Sequence, residues 1–172
     1  MILKTQIEGQ IIVLGNNIDT DQIYPAPYLA LTDPEEIGSH CLEGLDKNIS
    51  KNFPKGGIVV AGTNFGCGSS REHAAITLIH MGASAVIADS FARIFYRNAV
   101  NLSLTPVICK GISQHVKDGQ TLKIDLEKGI ISDKDTGEEF KSEKITGQPL
   151  KILAAGGIKK YMINKFAAEK SE

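Results

Sequence analysis

The sequence predicts an α/β fold, and three observations carry that prediction. Between positions 57 and 109, short β-branched runs alternate with stretches of helical spacing, the pattern of a parallel sheet. A glycine-rich bend, Gly62-Thr-Asn-Phe-Gly-Cys-Gly-Ser-Ser-Arg-Glu72, joins one such run to a helix. Beyond position 120 the chain changes to short β-like pieces separated by charged turns, which predicts antiparallel β.

Taken in order, residues 10–14 read as a strand, followed by a proline-rich loop to Thr32 and a helix over 34–45. Residues 57–61 form a short buried strand. After the bend, Ala74, Leu78 and Met81, with Ala75 and Ile79 beside them, fall at helical spacing. A strand over 85–88, a helix over 91–101 and a strand over 106–109 complete the alternating section. Leu122-Lys-Ile-Asp-Leu126 and Gly129-Ile-Ile-Ser132 are the antiparallel pieces, with Asp133-Lys-Asp-Thr-Gly137 as a turn. Residues 149–155, a Gly156-Gly157 break and a helix from Ile158 end the chain, with Lys159, Lys160, Lys165 and Lys170 as a solvated face.

A chain of 172 residues and 18.5 kDa buries about two-thirds of its unfolded surface, enough for one domain over 1–172 with its own core. Apolar content of 42% and charged content of 23% are ordinary for a globular protein, and no run reaches membrane-spanning length. The start Met1-Ile-Leu-Lys-Thr-Gln-Ile-Glu8 lacks the basic and apolar segments of a signal peptide. Cysteines at 41, 67 and 109 form neither an even disulfide set nor a C-x-x-C pair, so a reducing cytoplasm is expected. A net charge of −1 offers no general attraction for nucleic acid.

The bend has the layout of an anion site. Gly62, Gly66 and Gly68 allow tight turns and close approach to a ligand, and first-turn amides carry partial positive charge. Arg71 adds a two-pronged clamp for a carboxylate. Ser69-Ser-Arg-Glu72 also fits the S-x-x-E capping box, but a cap requires neither three preceding glycines nor a second serine and an arginine. A P-loop is excluded because no lysine lies between Gly62 and Glu72. The dinucleotide fingerprint is nearer, since Gly66-Cys-Gly68 follows a strand and Asp89 ends the next apolar run. Arg71, however, stands where its third glycine should be.

Elsewhere the chemistry is sparse. His40, His73, His80 and His115 show no ligand spacing, so no metal is assigned. Asn17-Ile-Asp-Thr-Asp21 suits a turn or a helix cap. Tyr24-Pro-Ala-Pro-Tyr-Leu-Ala-Leu31 is stiffened by two prolines yet presents Tyr28, Leu29 and Leu31, which suggests a lid or a partner surface.

Three motifs in order, Asn17-Ile-Asp-Thr-Asp21, Asn64-Phe-Gly-Cys-Gly-Ser-Ser-Arg-Glu-His-Ala-Ala75 and Ser90-Phe-Ala-Arg-Ile-Phe-Tyr-Arg-Asn98, resemble the 3-isopropylmalate dehydratase small-subunit family, which belongs with the aconitases. The likeness extends from the first strand to Ala154-Ala-Gly-Gly157. It implies a single swivelling β/β/α domain of the aconitase C-terminal type. This domain would close over a separate large subunit, in a heterodimer or heterotetramer, and the large subunit would carry a [4Fe–4S] cluster. By the resemblance, Ser69 matches the serine whose alkoxide takes the substrate proton, and Ser70 and Arg71 match groups that hold substrate carboxylates. Asp21, His73 and Arg93 are expected in supporting positions, and Tyr28, Leu29, Ala30 and Leu31 in the loop that sorts substrates. Relatives that bind an extra carboxylate carry arginine in that loop. The implied reaction interconverts 2- and 3-isopropylmalate in leucine biosynthesis. Homoaconitase and citraconate- or 2,3-dimethylmalate-type hydro-lyases are alternatives, and a non-catalytic dinucleotide- or acid-binding module is the remote one.

Overall fold

The computed structural model describes residues 5–171. Seven strands, β1 (Gln6–Val13), β2 (Ile58–Ala61), β3 (Ala85–Ala88), β4 (Thr105–Ile108), β5 (Thr121–Asp125), β6 (Ile130–Asp133) and β7 (Glu139–Lys141), form one sheet in the order β4-β3-β2-β1-β5-β6-β7. The first four are mutually parallel, whereas β1–β5, β5–β6 and β6–β7 are antiparallel. The α/β class and the change of character after position 120 both hold.

The apolar runs of the parallel strands are continuous because both faces are buried. Side-chain alternation sends Ile58, Val60, Ala85 and Ile87 to one face, where they join Leu122, Ile124, Ile131, Ile152 and Leu153. Val59, Ala61, Val86 and Ala88 go to the other face and meet Ala74, Ala75, Leu78, Phe95 and Ala99. Among the described residues, seven α-helices accompany the sheet: α1 (Thr20–Ile23), α2 (Pro34–Ser39), α3 (Ile49–Asn52), α4 (His73–Met81), α5 (Arg93–Asn101), α6 (Gly147–Ala155) and α7 (Ile158–Glu169).

Several predicted boundaries move. The first strand spans Gln6–Val13 instead of 10–14, because Gln6–Gln10 pairs with β5 where sequence shows only weak alternation. The loop before Thr32 contains α1, capped by Asp19, and a 3₁₀ turn at Ala26–Tyr28. The helix expected over 34–45 ends at Ser39. Leu42 adopts φ 61 and its N–H donates to the Ile23 carbonyl at 2.7 Å, so the chain turns there to bury Leu42 completely. Residues 149–155 fall within α6. The lysine-bearing α7 buries none of its residues and presents Ile163 and Phe166 as well as its lysines. Among the described residues no helix is long and apolar enough to cross a membrane.

Candidate active site

All four parallel strands point the same way, so the connections leaving β1, β2 and β3 emerge together at the carboxyl ends of the strands, where open α/β sheets bind ligands. There the backbones continue to pair beyond the strands. Asn17 N–H donates to Thr63 O at 2.8 Å, Gly66 N–H to Ile18 O at 2.7 Å and Thr20 N–H to Cys67 O at 2.8 Å. On the other side Phe65 N–H donates to Ser90 O at 3.0 Å, and Ala92 N–H to Phe65 O at 2.9 Å. The glycine-rich bend is therefore gripped by both neighbouring connections.

Two glycines allow that grip. Gly66 has φ 82, and a Cβ on it would lie 2.2 Å from Phe95 Cγ, so the Phe95 ring packs on bare backbone. Gly68 has φ 97, and a Cβ there would face Thr20 Oγ1 at 3.4 Å. Ser69 and Ser70 follow, both exposed.

Ser69 is not a helix cap. Helix α4 starts at His73 with Glu72 in the N-cap position, and no side chain caps it. The Ser69 hydroxyl is instead 3.1 Å from Thr20 Oγ1, with either oxygen able to donate. The backbone N–H groups of Ser69, Ser70 and Glu72 donate to no described acceptor, which leaves a cluster of donors before a helix start. Arg71 Nη1 donates to Asp21 Oδ1 at 2.7 Å, so α1 orients the guanidinium while its remaining N–H groups stay available. Ser69, Ser70, Arg71 and Asp21 thus form one group.

His73 stands at the base of this group, its ring stacked on Tyr24 with centroids 6.1 Å apart. Tyr24 connects it to the proline-stiffened loop, its hydroxyl donating to Tyr28 O at 2.6 Å. Burial raises the Tyr24 pKa, with a smaller contribution from Glu36, and keeps this hydroxyl a donor. Tyr28 turns inward. Its ring stacks on His40 at 3.7 Å and its hydroxyl donates to Glu43 Oε1 at 2.7 Å, which raises its pKa. Glu43 also binds His40 Nδ1, and the two hydrogen bonds hold its carboxyl below the usual range, His40 contributing most. Leu29 and Leu31 are half-buried and Ala30 is exposed. Arg93 makes no hydrogen bond to the Ser69 group; it lines a separate hollow of about 470 Å³ with Tyr96, Arg97 and Gln148.

Sequence reading passed over Thr20, although it lies between the two acids of Asp19-Thr-Asp21. Among the described residues no three or more His, Cys, Asp or Glu side chains come together to hold a metal ion. Cys41 and Cys109 are buried, and burial pushes their thiols up to about 12 and about 11.

Comparison with known proteins assigns this arrangement, an exposed serine, a second serine and an acid-braced arginine at the ends of parallel strands, to a class, the C-terminal domain of the aconitases. The Aconitase C-terminal domain family matches residues 46–111. The isopropylmalate/citramalate isomerase small subunit of Methanocaldococcus jannaschii is 47% identical over 165 residues, covering 96% of this chain and 98% of that protein. The 3-isopropylmalate dehydratase small subunit of Ruminiclostridium cellulolyticum is 44% identical, with 93% and 98% covered. The methanogen homoaconitase small subunit of M. jannaschii is also 47% identical, with 91% of each chain covered. The crystal structure of 3-isopropylmalate dehydratase from M. jannaschii superposes with a TM-score of 0.92 at 44% identity, covering 96% and 98%. The chain belongs to the 3-isopropylmalate dehydratase small-subunit family of the aconitase superfamily, whose members are hydro-lyase subunits that act with a large subunit.

Proposed function

We propose that this chain, acting as one swivel domain, completes a cytoplasmic enzyme that interconverts 2-isopropylmalate and 3-isopropylmalate by dehydration and rehydration in leucine biosynthesis. Ser69 Oγ takes the proton from the substrate carbon and returns it on rehydration. Ser70, Arg71 and the free backbone donors beside them hold substrate carboxylates, with Asp21 bracing Arg71. The departing hydroxyl needs a Lewis acid outside this chain, and we assign that role to a [4Fe–4S] cluster on the large subunit. His73 supports the loop through Tyr24, whereas any supporting role of Arg93 would act from the separate hollow it lines.

The observation that carries the substrate choice is the apolar loop Tyr28-Leu-Ala-Leu31. Overall identity does not choose, since relatives named for isopropylmalate/citramalate and for homoaconitase are each 47% identical. Placing an unpaired carboxylate against Leu29 and Leu31 would cost several kcal/mol, whereas an isopropyl group gains about 1.5–3 kcal/mol on burial. A citramalate- or citraconate-type substrate, with methyl in place of isopropyl, suits the same loop and is the second reading.

The test is anaerobic co-reconstitution with the large subunit and comparison of kcat/KM across isopropylmalate, citraconate, dimethylmalate and homocitrate. Isopropylmalate is expected to lead. Preference for homocitrate would overturn the assignment.

A further inference from the structure

Thr20 is 3% exposed, and its hydroxyl points at one side-chain partner among the described residues, the Oγ of exposed Ser69 at 3.1 Å. Its placement is over-determined. Thr20 is the first residue of α1, and Asp19 and Gln22 form a full capping box around that helix start. Its N–H donates to Cys67 O at 2.8 Å, so main chain and side chain both clasp the loop that carries the serine. Opposite, Gly68 at φ 97 leaves room for the Thr20 hydroxyl to reach past the backbone. A buried hydroxyl needs a partner, but a backbone carbonyl would have served for stability. Here the partner is the hydroxyl of an exposed residue 49 positions away.

We propose that Thr20 is a positioning residue for Ser69: it fixes the Ser69 rotamer and donates its hydroxyl hydrogen to Ser69 Oγ when that oxygen is an anion. The proposal rests on the reading of Ser69 as the base. The C–H proton of the substrate moves to Ser69 Oγ on dehydration and returns to carbon on rehydration. Thr20 neither gains nor loses a proton; its O–H shortens toward the anion and relaxes once Ser69 is neutral. A charge-assisted hydrogen bond of this kind strengthens as charge develops on its acceptor, so it acts on turnover more than on substrate binding.

The experiment uses the anaerobically reconstituted complex with the large subunit and 2-isopropylmalate as substrate. Thr20→Val keeps the buried shape and removes the hydroxyl. It is expected to lower kcat by about 10²-fold with KM unchanged, as removal of one preorganised donor does. The deuterium isotope effect with substrate labelled at the carbon that loses its proton is expected to rise, because proton transfer becomes more rate-limiting. Thr20→Ser, which keeps the hydroxyl and loses the methyl, is expected to retain most of kcat. If Thr20→Val fails to assemble, the comparison moves to Thr20→Ser against Thr20→Ala, where equal turnover overturns the proposal. It is also overturned if Thr20→Val keeps wild-type kcat while Ser69→Ala is inactive. Full activity of Ser69→Ala would instead sink the base assignment beneath it.

Discussion

Two connections dominate the site edge, and they are held in opposite ways. The glycine-rich loop of residues 62–72 is gripped by other elements: Ile18 and Thr20 from one connection, Ser90 and Ala92 from another, and Phe95 of α5 packed on bare Gly66. The loop of residues 24–31 is held by its own surroundings, through Tyr24 to Tyr28 and through Tyr28 to the His40–Glu43 pair. The first arrangement immobilises backbone amides and hydroxyls; the second clamps aromatic rings and leaves Ala30 outward. Chemistry common to a superfamily needs fixed donors at fixed points, whereas substrate choice needs a firm base carrying an exchangeable tip. The difference matches the proposed division between proton transfer and recognition of the substrate side chain.

The sharpest way to break the comparison is Ser69→Ala. In the assembled enzyme it is expected to lower kcat by about 10²–10⁴-fold, the range for losing a positioned acid–base group. Its melting temperature should fall only modestly, because the hydroxyl caps no helix and its loss removes one hydrogen bond, the one to the buried Thr20 hydroxyl. A variant that melts earlier yet turns over normally would make the serine structural.

Gly66→Ala attacks the grip itself. A Cβ at φ 82 is strained and collides with Phe95, so a loss of about 2–4 kcal/mol of stability is expected from overpacking and backbone strain together. Denaturant unfolding of the isolated chain measures it. Ala30→Arg, by contrast, changes the exposed tip of the other loop and should leave unfolding unchanged. It is expected to cost isopropylmalate about 10–200-fold in kcat/KM and to help a substrate with a third carboxylate. Leu31→Arg is the control for which side chain faces the ligand, and an unmoved ratio in both variants would remove the physical basis of the isopropylmalate assignment.

The smallest effect concerns the clamp on Tyr28. Glu43 has a folded-state pKa below its unfolded value, so its contribution is present above the ordinary carboxylate range and is lost as pH falls through the lowered value. Between neutrality and about pH 4, wild type should melt above Glu43→Gln, and the gap should close below that pH. Because the pair is partly solvated, the gap is expected to be small. A gap independent of pH would show that shape rather than charge holds the loop.

How far the sequence reached follows from the range of the interactions involved. The runs at 57–61 and 85–88 are unbroken apolar stretches, and strand assignment there needs only local composition and length. The glycine bend, the paired serines and the arginine were legible for the same reason: a strand, a tight loop and a helix lie contiguous in the chain. Capping was equally legible at Asp19, where the box forms, and equally legible at Ser69, where it does not. Nothing local separates those two cases. What separates them is the register that sets Ile11 opposite Ile58 and Val13 opposite Val60, because it lays the connection after β1 beside the one after β2. That register brings Thr20 to Ser69 and Asp21 to Arg71, pairs 49 and 50 residues apart. Leu42 likewise takes a left-handed turn where propensity favoured more helix, since complete burial of its side chain and the bond from its N–H to the Ile23 carbonyl outweigh the backbone strain. Sequence by itself determined which groups are candidates for the chemistry and which strand, loop or helix start each lies near. Tertiary structure alone decided which group touches which, because hydroxyls and carboxylates select partners by distance, and distance across 50 residues is set by packing of the sheet.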